Sequence, residues 1–370
     1  MTSVVALILA GGYATRLRPL SYTRPKPLLK IVDKPILDYI IDSVLKVNPD
    51  LIILSLRYLA DKIIDHVRKT WNKISDKIIF MMESKPLGDA GPIARAVREY
   101  GISESSILVV NSDIYSNIDF TSVIESHRRS GSIATLVLTR LRGDLSRFGV
   151  ASIDDDLRVT HFVEKPQRPP SEGLVNAGVY VFEPEISKYL PHDVARPLKI
   201  STYLLPKLIE ERTLHAYIHE GYWLDVGTPE DYIKANRIAL EQMCRDESCI
   251  KGDVLGGVIP PSYISATAQV GRNSMIGPYT VILDECKIGS GVRIKNSIVL
   301  DKTIIEEYTY ITGSIIGENA YIGRWVRIED NCIVGDYTYI ESEVYIARGV
   351  KIGPHREITD SIRRENEVLP

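Results

Sequence analysis

Residues 264–294 read ISATAQVGRNSMIGPYTVILDECKIGSGVRI, with an aliphatic residue at every sixth position: Ile264, Val270, Ile276, Ile282, Ile288 and Ile294. The beat continues through Val299, Ile305, Ile311, Ile316, Ile322, Ile328, Val334, Ile340, Ile346 and Ile352, interrupted only by five-residue steps at Ile294 to Val299 and Ile311 to Ile316. Helical heptads do not produce a period of six. A parallel β-helix does, because each side of each coil turns one aliphatic side chain inward and stacks it on its neighbours. Glycine often follows the aliphatic residue (Gly271, Gly277, Gly289, Gly317, Gly323, Gly335, Gly353), where a side chain would crowd the corner. Sixteen such positions at three per coil predict about five coils of a left-handed parallel β-helix over 253–358, with a polar tail at 359–370 free to fray.

Before the solenoid the grammar is different. The runs Val4 to Leu9, Leu51 to Leu54, Ile78 to Met81, Ile107 to Val110 and Thr135 to Leu138 read as buried strands. Between them, Ile36, Leu37, Ile40, Ile41, Val44 and Leu45 keep one helical face apolar, and Ile63, Ile64 and Val67 repeat the pattern briefly. This alternation predicts an α/β domain over 1–240 with a Rossmann-like, doubly wound mixed sheet and ligands beyond the carboxyl ends of its strands. Residues 229–243, with Tyr232, Ile233, Asn236 and Leu240 on one face, read as the helix leading into the solenoid.

Composition narrows the function classes. At 370 residues, 44% apolar and 25% charged, the chain suits two globular domains and is neither disordered nor collagen-like. A net charge of −3 argues against nucleic acid as main partner. No apolar run spans a bilayer and no secretory leader is apparent, so a cytoplasmic protein without membrane contact is expected. Cys244, Cys249, Cys286 and Cys332 form no CxxC pair, and buried thiols are expected rather than disulfides or zinc ligands.

The first strand runs into Ala10-Gly11-Gly12, whose amides are free to approach phosphate oxygens. Arg16, Arg18, Arg24, Lys26 and Lys30 then place five cations within fifteen residues. A solvated basic loop and a phosphate cradle both fit these residues. A dinucleotide fingerprint and a P-loop do not, because the third glycine of the one and the Gly-Lys-Ser/Thr of the other are missing.

Leu9-Ala10-Gly11-Gly12 through Arg16-Leu17-Arg18-Pro19-Leu20 and Arg24-Pro25-Lys26-Pro27-Leu28 resembles the signature of the sugar-1-phosphate nucleotidylyltransferases. Leu87 to Pro92, Asn111-Ser112-Asp113, Phe148-Gly149-Val150, Glu164-Lys165-Pro166, Asn176-Ala177-Gly178 and Trp223 to Gly227 follow in family order. In the solenoid, Gly323 to Glu329 and Gly353-Pro354-His355 resemble the C-terminal domain of mannose-1-phosphate guanylyltransferases, so the likeness covers nearly the whole chain. Two positions depart from the pattern. Ala14 stands where the family usually has glycine, and its methyl would either crowd the triphosphate or stiffen the loop. Ser201 stands where guanylyltransferases of this type usually carry glutamate.

The resemblance implies attack by a sugar 1-phosphate on the α-phosphorus of a nucleoside triphosphate, with pyrophosphate leaving. Such chemistry is mostly positioning and charge neutralisation and needs no general base, because the nucleophile is already ionised. It assigns Arg16, Lys26 and Asp113 to catalysis; Leu9, Ala10, Gly11, Gly12, Glu83 and Gly88 to the nucleotide; and Gly149, Glu164, Lys165 and Asn176 to the sugar phosphate. Asp113 and Asp225 are the implied Mg²⁺ ligands, hard oxygens of the kind that ion prefers. Taken alone, Asp113 is equally a turn residue, Glu83 a loop cap and Glu164-Lys165 an exposed pair. A carboxylate at Glu83 accepts from both N1-H and N2-H of guanine, which favours guanine over thymine or uracil. The resemblance of the Leu87 to Pro92 and Trp325 motifs implies GTP with mannose 1-phosphate over thymidylyl or uridylyl transfer to glucose 1-phosphate.

Other classes remain in view. Hexapeptide solenoids also serve acyltransferases, but those need a mid-coil histidine, and His355 stands at the end. A non-catalytic regulatory subunit would lack the key cations and carboxylates that are present here. Tyr308, Tyr310, Tyr321, Tyr337, Tyr339 and Tyr345 point to homo-oligomerisation through the solenoid.

Overall fold

In the computed structural model the described residues are 3–192, 194 and 196–370. The chain divides into two compact units, Met1–Tyr13 with Ile36–Asp225, and Ala14–Pro35 with Val226–Pro370. This differs from an expected boundary at 240. Residues 14–35 leave the α/β unit and pack with the solenoid, as does the helix Pro229–Met243.

The first unit is the expected α/β fold. Strands β1 (Val4–Ala10), β2 (Leu51–Leu56), β3 (Ile78–Met82) and β4 (Ser106–Asn111) form a parallel core in which β1 lies between β2 and β4. Helices α1 (Ile36–Leu45), α2 (Ala60–Thr70) and α3 (Gly91–Tyr100) supply the crossovers. The chain moves outward from β1 to β3 and then returns to β4, so the carboxyl ends of β1 and β4 form the switch point where α/β folds hold ligands. After the short β5 (Ile114–Ser116), strands β6 (Ala134–Arg142), β7 (Gly149–Ile153), β8 (Val159–Glu164), β9 (Glu172–Phe182) and β10 (Leu214–His219) extend this into a nine-stranded mixed sheet. The strand β11 (Trp223–Asp225) pairs with β5 apart from it. β9 is the hub, antiparallel to β4, β6 and β7.

The second unit is a three-sided parallel β-helix. Its sheets hold seven strands from Asp253–Val254 to Glu357–Ile358, six from Gly257–Val258 to Tyr345–Ile346, and seven from Ser262–Ile264 to Val368–Leu369. The solenoid is therefore longer than five coils. Val254 and Val258 start it, and Ile358, Ile362 and Leu369 close it at irregular spacing. The residues expected as a fraying tail instead pair Val368–Leu369 with Lys351–Ile352. The sixteen periodic aliphatics are all buried in one stack. The corners use the left-handed conformation, with φ between 51° and 67° from Asn273 to Glu343 at non-glycine positions.

The predicted helix Pro229–Met243 is present, started by a capping box between Thr228 and Asp231. Tyr232, Asn236 and Leu240 are buried, while Ile233 is half-buried. The cysteine expectation is half corrected. Cys244 and Cys249 form a disulfide, because the helix ends at Met243 and the turn Glu247–Cys249 folds back until the two Cα atoms are 5.3 Å apart. Cys286 and Cys332 are buried free thiols, pushed up by burial to about 12 and about 11. Among the described residues no helix is long and apolar enough to cross a membrane.

Candidate active site

At the switch point β1 hands the chain to Gly11 and Gly12. A Cβ on Gly11 would lie 3.0 Å from Glu83 Oε1, so the missing side chain leaves room for that carboxylate. Glu83, just past β3, is held in place. Its Oε1 accepts from the Ser55 hydroxyl at 2.6 Å, its Oε2 accepts from the Leu87 amide at 3.4 Å, and its own amide donates to the Leu56 carbonyl at 2.8 Å. Glu83 thus caps its loop and also faces the glycine turn, where each carboxylate oxygen retains further acceptor capacity. Gly88 does something different. Its φ of +77° and its bridge to Leu198 make it a backbone seam, closed by Leu198 N–H to Leu87 O at 2.8 Å and Ala90 N–H to Leu198 O at 3.1 Å.

Beside β4 lies a cavity of about 150 Å³. The sequence-predicted Asp113, Gly149, Glu164, Asn176 and Asp225 all line it, joined by Asp89, Asn111, Arg147, Tyr180, Ser201 and Trp223. Its floor is a bulge in β9, where the register slips between Asn176 and Tyr180 and Gly178 takes φ of +73°. A Cβ on Gly178 would lie 2.6 Å from Asn111 Nδ2. Asn176 is locked in one amide orientation, donating from Nδ2 to the Tyr180 hydroxyl at 2.7 Å and accepting the Gly178 amide at 2.9 Å. Trp223 Nε1 donates to the Ala177 carbonyl at 2.9 Å, and Phe148 packs edge-on against that indole. Gly149 is opposite Glu164 in the β7–β8 pairing, and a Cβ there would lie 2.9 Å from Glu164 Oε2 and overlap the Phe162 ring.

The carboxylates Asp113 and Asp225 are brought together by strand pairing. Asp225 is opposite Ile114, the residue after Asp113, in the antiparallel β5–β11 pair. The turn before Asp113 is pinned to the end of β1, since the Ser112 hydroxyl and amide both donate to the Leu9 carbonyl, at 2.6 and 3.2 Å. No cluster of three or more metal-ligating side chains occurs among the described residues. Two carboxylates suit an ion that takes most of its ligands from phosphates and water.

Lys165 is not in the cavity lining. Its side chain is 63% exposed, and its ammonium lies 3.9 Å from a Glu164 oxygen. The cavity-lining cation is Arg147, its guanidinium 5.3 Å from the Phe148 ring centre. Arg147 and Asp89 were missed as functional residues, though Arg147 immediately precedes Phe148-Gly149 and Asp89 stands within Leu87 to Pro92. Asp89 accepts the Ile200 amide at 2.5 Å at the start of the π-turn Ile200–Leu204, which also carries Ser201. Burial raises the pKa of Asp89, with the Glu164 charge adding to the shift, and burial likewise raises that of Tyr180. The His127–Glu183 pair, 2.8 Å apart, is outside this lining.

In the second unit Arg16 and Arg18 are exposed, whereas Lys26 is buried. Arg24 and Lys30 are engaged with acids of the solenoid. The five-cation cluster read from sequence is therefore not five phosphate ligands in waiting.

Residues 5–242 match the nucleotidyl transferase family and residues 258–369 the GMPPB C-terminal domain. The chain is 32% identical over 367 residues to mannose-1-phosphate guanylyltransferase 1 of Arabidopsis thaliana, covering 98% of this chain and 99% of that protein. It is 32% identical over 358 residues to the mannose-1-phosphate guanylyltransferase catalytic subunit beta of Danio rerio, covering 96% and 98%. Among solved structures, HddC from Yersinia pseudotuberculosis complexed with GMP-PN matches at a TM-score of 0.53 and 34% identity, over 65% of this chain and 100% of that one. The chain belongs to the nucleotidyl transferase family and ends in a GMPPB C-terminal domain.

Proposed function

We propose that this protein transfers the guanylyl group of GTP to mannose 1-phosphate, releasing pyrophosphate and forming a nucleoside-diphosphate sugar. The observation that carries the reading is that Asp113 and Asp225 line one cavity with Glu164 and Asn176, Asp225 standing opposite Ile114 in the β5–β11 pair. The names of the full-length relatives and the GMP-PN complex of HddC support the guanine and the sugar.

Leu9 to Gly12 offer backbone donors to phosphate, and Glu83 accepts from the guanine edge. Arg16 and Lys26 neutralise the β- and γ-phosphates as charge builds on the leaving pyrophosphate. Asp113 and Asp225 would hold Mg²⁺, which when bound shields the anionic nucleophile from the triphosphate. Asn176, fixed by Tyr180 and Gly178, and Glu164 orient the sugar ring so that its phosphate oxygen faces the α-phosphorus. Four carboxylates (Asp89, Asp113, Glu164, Asp225) line the cavity with one guanidinium. An incoming phosphate is repelled there unless a cation meets it, which favours Arg147, with Lys165 beside Glu164, as partners of the sugar phosphate. Self-association through the solenoid remains part of this reading.

The test is pyrophosphate release from pure protein with Mg²⁺, each triphosphate in turn and a panel of sugar 1-phosphates. GTP with mannose 1-phosphate should give the highest kcat/KM. Preference for thymidine or uridine triphosphate would overturn the guanine assignment, and silence in every combination would favour a nucleotide-sugar-binding regulatory subunit.

A further inference from the structure

Asp284, Asp301, Glu318 and Asp336 occupy the same corner of four consecutive coils. Each stands two residues past a register-matched member of one sheet, Ile282, Val299, Ile316 and Val334. The equivalent places on the flanking coils, after Ile264 and Ile352, are Ala266 and Pro354, so the acidic row is confined to these four coils. Stacked like charges at strand spacing repel one another. The row is tied together in part by backbone donors, with Asp284 N–H to Asp301 Oδ1 at 3.1 Å and Glu318 N–H to Asp336 Oδ1 at 2.7 Å.

Two cations of the segment Ala14–Pro35 meet this row. Lys30 Nζ lies 3.0 Å from Asp284 and 2.7 Å from Asp301. The Arg24 guanidinium bonds Glu318 and stands 3.9 Å from both Asp301 and Asp336. The Thr23 hydroxyl donates to Asp336 at 2.6 Å. The helix Pro229–Met243 adds two further ties, Tyr232 O–H to the Lys30 carbonyl at 2.7 Å and the Val32 amide to Asn236 Oδ1 at 2.7 Å. Arg24, Asp301 and Asp336 are mostly shielded from solvent, with side-chain exposures of 12%, 13% and 4%, whereas Asp284 at the end of the row is half exposed. Removing one partner strands the others as buried charges. The clamps stand on both sides of Lys26, which the proposed function puts on the triphosphate.

We infer that Arg24 and Lys30 are positioning residues, and that the acidic row of the solenoid is the template that fixes the shape of the segment carrying Lys26. The solenoid thereby takes part in nucleotide binding without touching the nucleotide. This inference rests on the proposed role of Lys26 in triphosphate binding.

The test compares the full-length wild type with Arg24→Ala, Arg24→Lys, Asp301→Asn and the Arg24→Ala/Asp301→Asn double variant. Direct binding of Mg-GTP is measured beside the KM values for GTP and mannose 1-phosphate. Arg24→Ala should weaken GTP roughly tenfold in Kd and KM while leaving the sugar-phosphate KM within about twofold, and Arg24→Lys should recover part of the loss. Asp301→Asn should weaken GTP as well, since it leaves Lys30 and Arg24 short of one partner. The double variant should lose less than the sum of the singles. Unchanged GTP binding in both single variants, or equal shifts for both substrates, would overturn the inference. Wild type that binds GTP without turnover would fail the proposed reaction while leaving this comparison readable in Kd.

Discussion

The two units carry their information in different ways. In the solenoid each coil restates the rule of the one before, so Ile322 sits between Ile305 and Ile340 in register and the same aliphatic stack is specified many times over. In the α/β unit the cavity is assembled from seven separate stretches between Asp89 and Asp225, each occurring once. A repeat tolerates error because its neighbours enforce the same geometry, whereas a cavity of single contributors has no second copy of any part. One substitution in the cavity should therefore remove function at little cost in stability, and one in the stack should do the reverse.

The largest effect belongs to the cavity. Asp225→Asn should lower Mg²⁺-dependent turnover by about a thousandfold, since it removes one of the two carboxylates offered to the metal, while thermal unfolding stays near wild type. Turnover unchanged at saturating Mg²⁺ would falsify the metal assignment. Next, Ile322→Ala, at a fully buried stack position, should cost about 2–5 kcal/mol in denaturant unfolding of the solenoid. At 25 °C the sugar-phosphate KM should stay unchanged. A cost below about 1 kcal/mol would mean that the coils relax into the gap, and the contrast between the units would lose its physical basis.

This contrast also explains what could be read in advance. Ile264 to Ile352 announce the solenoid because six-residue spacing is a local property. The closing turns beyond Ile358 carry no such signal, because Ile362 and Leu369 break that spacing. Asp113 and Asp225 were found through motif order, yet their neighbourhood comes from the β5–β11 pairing, which no composition or spacing displays. Strands such as Val159–Glu164 and Leu214–His219 escaped because one face carries His161 or His215 and no long apolar run marks them. Arg24 and Lys30 were counted with the phosphate cations because a sequence shows a charge but not its partner, and their partners lie more than 250 residues away. The Cys244–Cys249 bond depends on where a helix stops, a boundary that propensity places poorly.

A smaller effect sharpens the comparison inside the cavity. Arg147→Ala should raise the KM for mannose 1-phosphate roughly tenfold with the KM for GTP little changed, because it removes the guanidinium from a lining otherwise rich in carboxylates. Lys165→Ala should also shift the sugar-phosphate KM more than the GTP KM, but by less, since its side chain is largely exposed. A larger loss at Lys165 than at Arg147 would show that the exposed charge outweighs the lining charge.

The smallest effect concerns Ala14, where the two units join in sequence. Its φ of 49° and ψ of 43° lie in the left-handed region, which costs an L-residue with a Cβ about 1–2 kcal/mol. The geometry is held because the Ala14 carbonyl accepts from the Leu17 amide at 3.0 Å and from the Ser21 hydroxyl at 2.8 Å, so the chain has little freedom to rotate away. Ala14→Gly removes the steric cost but adds about 0.5–1 kcal/mol of unfolded-state entropy, leaving a net stabilisation of up to about 1.5 kcal/mol. The same variant separates the two consequences of the methyl group. A rise in unfolding midpoint with an unchanged KM for GTP would mean that the methyl acts on the backbone alone. A fall in that KM would mean that it crowds the triphosphate. A drop in stability would show that stiffening the unfolded loop outweighs the strain at Ala14, and that a family position which usually holds glycine is better served here by alanine.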